Sequence, residues 1–129
     1  MPVKFEWEND EKTIMRVVVS GVWNWNEFHK MMRIMSFALD RVSHPVETII
    51  DLRAGAKLPA GALGHIRSLG KRIHPNGTDR AVIIGLDEAV AKSLGGADGI
   101  YQDGERLLRF VDSDEEALAV IGEWQDEKN

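Results

Sequence analysis

The sequence predicts an α/β fold with element order ββαβαβαβα, built on a mixed, mostly parallel five-stranded sheet with about four helices. Three observations carry that expectation. Apolar residues alternate with period two near the N-terminus and then recur at three- and four-residue spacing from Asn26 onward. Two continuous apolar stretches, around Val46–Leu52 and Ala81–Leu86, suit strands covered on both faces. Strands then alternate with helices through the second part, the arrangement that parallel crossover units require. At 129 residues with 43% apolar content, the chain is read as a single domain over residues 1–129.

Val3 to Glu8 and Thr13 to Ser20 form the expected opening hairpin. Phe5 and Trp7 alternate with polar neighbours, Val17, Val18 and Val19 are β-branched, and Glu8 to Glu11 supplies a polar turn. From Asn26, Phe28, Met31, Met32, Met35, Leu39 and Val42 trace one stripe on a long helix, with Asn24 or Asn26 as its cap. His44-Pro45 stops that helix, because the residue before proline is pushed out of the α region. The strand from Val46 follows at once. Pro59 is placed in the first turn of the next helix, whose apolar positions are Ala62, Leu63, Ile66, Leu69 and Ile73. Lys71, Arg72 and His74 fall in its last turn, where cations complement the helix dipole, and Pro75-Asn76-Gly77 ends it. Asp87 caps a short helix through Leu94, and Gly95 to Gly99 is read as a loop. Leu107 to Val111 forms the last strand. Ser113-Asp114-Glu115-Glu116 is a capping box ahead of Ala117, Leu118, Ile121 and Trp124.

One segment carries a family likeness. The strand Val46-Glu47-Thr48-Ile49-Ile50-Asp51-Leu52-Arg53, the loop Ala54 to Leu58 and the helix start Pro59-Ala60-Gly61-Ala62-Leu63 resemble the signature of the STAS domain. That module is shared by sulfate transporters and SpoIIAA-like anti-sigma factor antagonists. There a strand ending Asp-Leu-Ser or similar precedes a loop and a helix opening Asp-Ser-Ser-Gly-Leu. The element order and the closing stretch Phe110 to Leu118 are similar to the family as well. The resemblance implies a non-catalytic regulatory or protein-interaction module whose partner face spans Asp51 to Leu63. Ala60 and Gly61 stand where the family carries its phosphorylatable serine, so a switch by that modification is not expected.

Composition excludes several classes. A net charge of −5 lacks the concentrated basic face of a nucleic-acid binder. The absence of cysteine removes disulfides, thiolate nucleophiles and cysteine metal sites. Met1 to Trp7 contains acids and no long apolar run, so neither a signal peptide nor a membrane span is expected, and the cytoplasm is the default location. His29, His44, His65 and His74 lack metal-ligand spacing, and His65 reads as a solvated side chain. Nucleophile-elbow, phosphate-loop and dinucleotide motifs are absent; no catalytic residue and no cofactor is expected.

Three features remain as candidate binding elements. The amides of Ala60, Gly61 and Ala62 at a helix start, with Arg53 and Lys57 nearby and Asp51 at the strand end, suit a small anionic ligand. Trp23 and Trp25, at the junction of the second strand and the long helix, either wall a pocket for a flat apolar ligand or pack in the core. Ile34 and Phe37 lie off the stripe of Phe28, Met32 and Leu39, with Lys30, Arg33 and Arg41 around them. They are candidates for a surface that meets a protein partner or a second copy in a homodimer, unless a neighbouring helix covers them.

Overall fold

The computed structural model describes residues 2–68, 75–94, 99–103 and 106–127. The strands β1 (Val3–Trp7), β2 (Ile14–Gly21), β3 (Val46–Gly55), β4 (Gly77–Ile84), β5 (Ile100–Asp103) and β6 (Arg106–Val111) form one six-stranded sheet in the order β1-β2-β3-β4-β6-β5. The helices are α1 (Trp25–Leu39), α2 (Ala62–Ser68), α3 (Glu88–Ser93) and α4 (Asp114–Glu127). β2, β3, β4 and β6 run parallel, while β1 and β5 close the two edges antiparallel to their neighbours. The expected count of five strands is therefore corrected to six among the described residues; the sheet is mixed, with β2, β3, β4 and β6 parallel between two antiparallel edges. The unforeseen strand is β5, four residues long and paired Ile100 to Arg109 through Asp103 to Arg106. So short a segment owes its extended form to its partner strand, not to its own pattern.

Side-chain parity distributes the core over both faces. In β4, Ala81 and Ile83 join the cluster under α1, α2 and α3, while Val82 and Ile84 join the cluster under α4. That alternation explains why the run is apolar throughout. α1 buries Trp25, Phe28, Met31, Met32, Met35 and Leu39, and Asn24 caps it by accepting from the Glu27 amide at 2.8 Å. Full burial of one such side chain contributes about 1.5–3 kcal/mol. The far end of α1 is tied down by Asn76, whose Nδ2 donates to the Leu39 and Val42 carbonyls at 3.1 and 2.9 Å. Ser113 caps α4, accepting from the Glu116 amide and bonding its carboxylate.

α2 differs from its expected form at the start. Gly61 adopts φ +85°, a left-handed conformation that no helix continues, so α2 begins at Ala62 and Pro59 lies outside it. The Gly61 carbonyl instead accepts the His65 amide at 3.1 Å. The expected later positions Leu69, Lys71, Arg72, Ile73 and His74 lie outside the described residues, as do Gly95 to Asp98 of the glycine loop. No helix among the described residues is long and apolar enough to cross a membrane.

Candidate functional site

Parallel strands that end side by side leave their following loops facing one another, and in open α/β sheets that edge is where ligands sit. β3 and β4 end this way. The loop from Ala56 to Gly61 and the start of α2 form one wall of a cleft, Gly85, Asp87 and Val90 form the opposite wall, and Leu52, Gly55 and Trp23 lie at its base. Its volume is about 850 Å³, within the ~300–1,000 Å³ usual for small-molecule sites. The lining is mainly apolar or small.

The base depends on a close approach. A Cβ on Gly55 would lie 2.7 Å from Val19 Cγ2 and 2.9 Å from Trp23 Nε1, so glycine leaves the room that the indole edge occupies at the strand end. Trp23 is 5% exposed, and its Nε1 has no hydrogen-bond partner among the described residues. Trp25 does not line the cleft; it packs behind it. Its ring meets Trp23 edge-on at 4.8 Å, its Nε1 donates to the Pro59 carbonyl at 3.2 Å, and His65 stacks on it at 4.8 Å and 10°. Trp25 thus fastens the cleft wall to α1. The two indoles divide between base and support.

His65 is consequently not the solvated side chain expected. It is half-buried, and its Nδ1 lies 2.8 Å from His29 Nε2 on α1. Burial, then the charges of His65 and Arg33, push the His29 pKa down. Among the described residues no group of three or more potential ligands gathers to hold a metal ion.

Asp51 is placed away from the cleft. Ile50 and Leu52 face the α1 side, so the residue between them faces α4. There it enters an ion network: Arg16 Nη1 contacts Asp51 at 3.1 Å and Asp114 at 2.9 Å, while Arg53 Nη2 contacts the same two carboxylates at 2.8 and 2.9 Å. Arg16 also holds Glu8 through two bonds of 2.7 and 2.9 Å. Burial raises the Asp51 carboxyl, but hydrogen bonds from Arg53 and the charges of both arginines reverse this and leave it below its ordinary value. The Asp114 carboxyl is lowered chiefly by its bond from Arg53. Both guanidiniums are held more firmly protonated, Arg16 mainly by Glu8 and Arg53 mainly by Asp51.

The geometry reduces the expected anion cradle. Arg53 touches the cleft with its stem while its charge is committed to the network, and Ala60 and Gly61 occupy a turn ahead of a seven-residue helix. Lys57 stays exposed at the rim. Asp87 is occupied in capping α3, accepting from the Ala89 and Val90 amides. The contribution of Gly85, Asp87 and Val90 went unread in the sequence, although two adjacent parallel strands imply that the loops after both share one edge. Ile34 and Phe37 lie elsewhere, at 41% and 70% exposure beside a groove between β1 and α1.

No family model and no curated protein matches the sequence. Among solved structures, the chain is similar to an uncharacterised protein of the DUF3478 family with a SpoIIAA-like fold from Shewanella loihica PV-4. The two share 19% identity over 92% of this chain and 90% of that one, with a TM-score of 0.56. The likeness shows the fold, which is SpoIIAA-like.

Proposed function

We propose that this protein is a non-catalytic regulatory module, resident in the cytoplasm, whose cleft takes up a mostly apolar small molecule carrying one anionic group. The observation that carries the reading is the cleft itself: about 850 Å³ at the ends of β3 and β4, walled by small and apolar side chains, with Lys57 exposed at its rim. An apolar body gains by leaving water, and a carboxylate or phosphate gains a charge-assisted bond at the edge. The lining supports binding over catalysis. Its charged members among the described residues are Arg53, Lys57 and Asp87, of which Arg53 is ion-paired and Asp87 is engaged as a helix cap. No serine, threonine, tyrosine or histidine is among the described lining residues. The resemblance of the strand, loop and helix start to anti-sigma factor antagonists supports a regulatory use of the same loop.

Calorimetric titration with a series of straight-chain and aromatic carboxylates tests the proposal. Saturable one-site binding is expected, weakened roughly tenfold by Lys57→Ala and abolished by Ala60→Phe at the cleft wall. Binding that ignores both substitutions, or a preference for uncharged and cationic analogues, would contradict it.

A further inference from the structure

The second apolar surface has a different chemistry. A groove of about 320 Å³ runs between β1 and α1, floored by Phe5 and Trp7 and rimmed by Ile34 and Phe37. Lys12 and Arg41 also line it, and among the described residues no carboxylate does. Lys12 Nζ sits 5.8 Å above the Trp7 ring. On α1, Lys30, Ile34 and Phe37 follow one another at helical spacing, with Arg41 just beyond the helix end, so the exposed apolar pair has a cation on either side. The acids nearest this stripe are Glu27, in the first turn of α1, and Asp40, at its C-cap beside Arg41; neither lines the groove. The charged groups that line the groove are thus both cations, on a chain with net charge −5.

That contrast identifies the occupant. A second copy docking symmetrically would bring the same patch against itself and oppose Lys12 and Arg41 with their own counterparts. A flat lipid surface would reach the rim and leave the concave floor of Phe5 and Trp7 unfilled. We infer that the groove docks an acidic segment of another protein, one that seats two or more large apolar side chains against Phe5, Trp7 and Phe37 and presents carboxylates to Lys12 and Arg41. The site is separate from the cleft, and the inference stands whether or not the cleft holds a ligand.

The probe is a random-peptide display library selected on the full-length protein, with the Phe37→Asp variant used for counter-selection. Enriched peptides are expected to be acidic with at least two large apolar residues, and to bind Phe37→Ala about tenfold or more weakly than the unaltered chain. Joint Lys12→Glu and Arg41→Glu substitution should shift the preference to basic peptides. All these side chains are exposed or at the groove rim, so unchanged thermal unfolding of the variants serves as the control. Four results would overturn the inference: no enrichment, enrichment of neutral or basic peptides, a homodimer that Phe37→Asp dissolves, or binding to phosphatidylserine vesicles that Phe37→Asp abolishes. The third would assign the face to a second copy and the fourth to a membrane.

Discussion

Replacing Asp51 by asparagine separates a structural role from a binding role at the residue that heads the family-like segment. The carboxylate, 11% exposed, receives Arg16 Nη1 at 3.1 Å, Arg53 Nη2 at 2.8 Å, Arg53 Nε at 3.0 Å and the Arg53 amide at 3.1 Å. Asparagine keeps one acceptor oxygen and turns an amide donor toward a guanidinium. Removing one partner of a buried ion pair costs about 3–5 kcal/mol. Here Arg16 retains Glu8 and both arginines retain Asp114, which lowers the expectation to about 2–3 kcal/mol. That is roughly a 30- to 150-fold fall in the folded-to-unfolded ratio, measurable as a shift of the urea midpoint at neutral pH. The pH dependence supplies a second reading. Asp51 and Asp114 have folded-state pKa values below their unfolded ones, so the stability they contribute is fully present above about pH 4 and is lost as pH falls through the folded values. The gap between the natural protein and Asp51→Asn should therefore narrow below about pH 4. Ligand binding in the cleft should not change under native conditions. A loss below about 0.5 kcal/mol, a gap that persists undiminished in acid, or a loss of ligand binding at unchanged stability would refute this account of Asp51.

Two further outcomes follow from the cleft's surroundings. Gly55→Ala places a methyl within 2.9 Å of both Val19 Cγ2 and Trp23 Nε1, and should cost about 1–3 kcal/mol while shifting tryptophan emission, both read from one urea titration followed by fluorescence. The His29 ring, its pKa pushed down in the fold, favours the neutral state, so its contribution is full above about pH 6.5 and declines as pH falls below that value; His29→Gln should flatten the slope of stability between about pH 6.5 and 5.5, whereas an unaltered slope would exclude the His29–His65 contact as its source.

How much of this was legible in the sequence depended on how local the signal was. The stripe on α1 from Phe28 to Leu39, the Asn24 and Ser113 caps and the two-faced burial of β4 are written in spacings of a few residues, and the structure carries them; the helix itself ends at Leu39 with Asp40 as its cap, so Val42 lies beyond it and His44-Pro45 is not what stops it. β5 could not be read because four residues beside a glycine-rich stretch carry no period, and the strand exists through β6. The face taken by Asp51 was hidden by the strand's own composition: Ile49 and Ile50 are both fully covered, on opposite sides, so hydropathy does not say which parity faces the cleft. The helix start was misplaced because Pro59 is a good first-turn residue, yet Gly61 with its positive φ sets the boundary two residues later. The stacking of His65 on Trp25 joins residues forty positions apart and leaves no trace in local pattern.

Native mass spectrometry of the chain purified gently from its own host tests the proposed function most directly. The account predicts a discrete added mass from a small anionic, largely apolar molecule, present on the natural protein and on Phe37→Asp, and absent from Ala60→Phe. Unmodified mass for the natural protein, or an adduct that Ala60→Phe keeps, would contradict the assignment of the β3–β4 cleft as a ligand site.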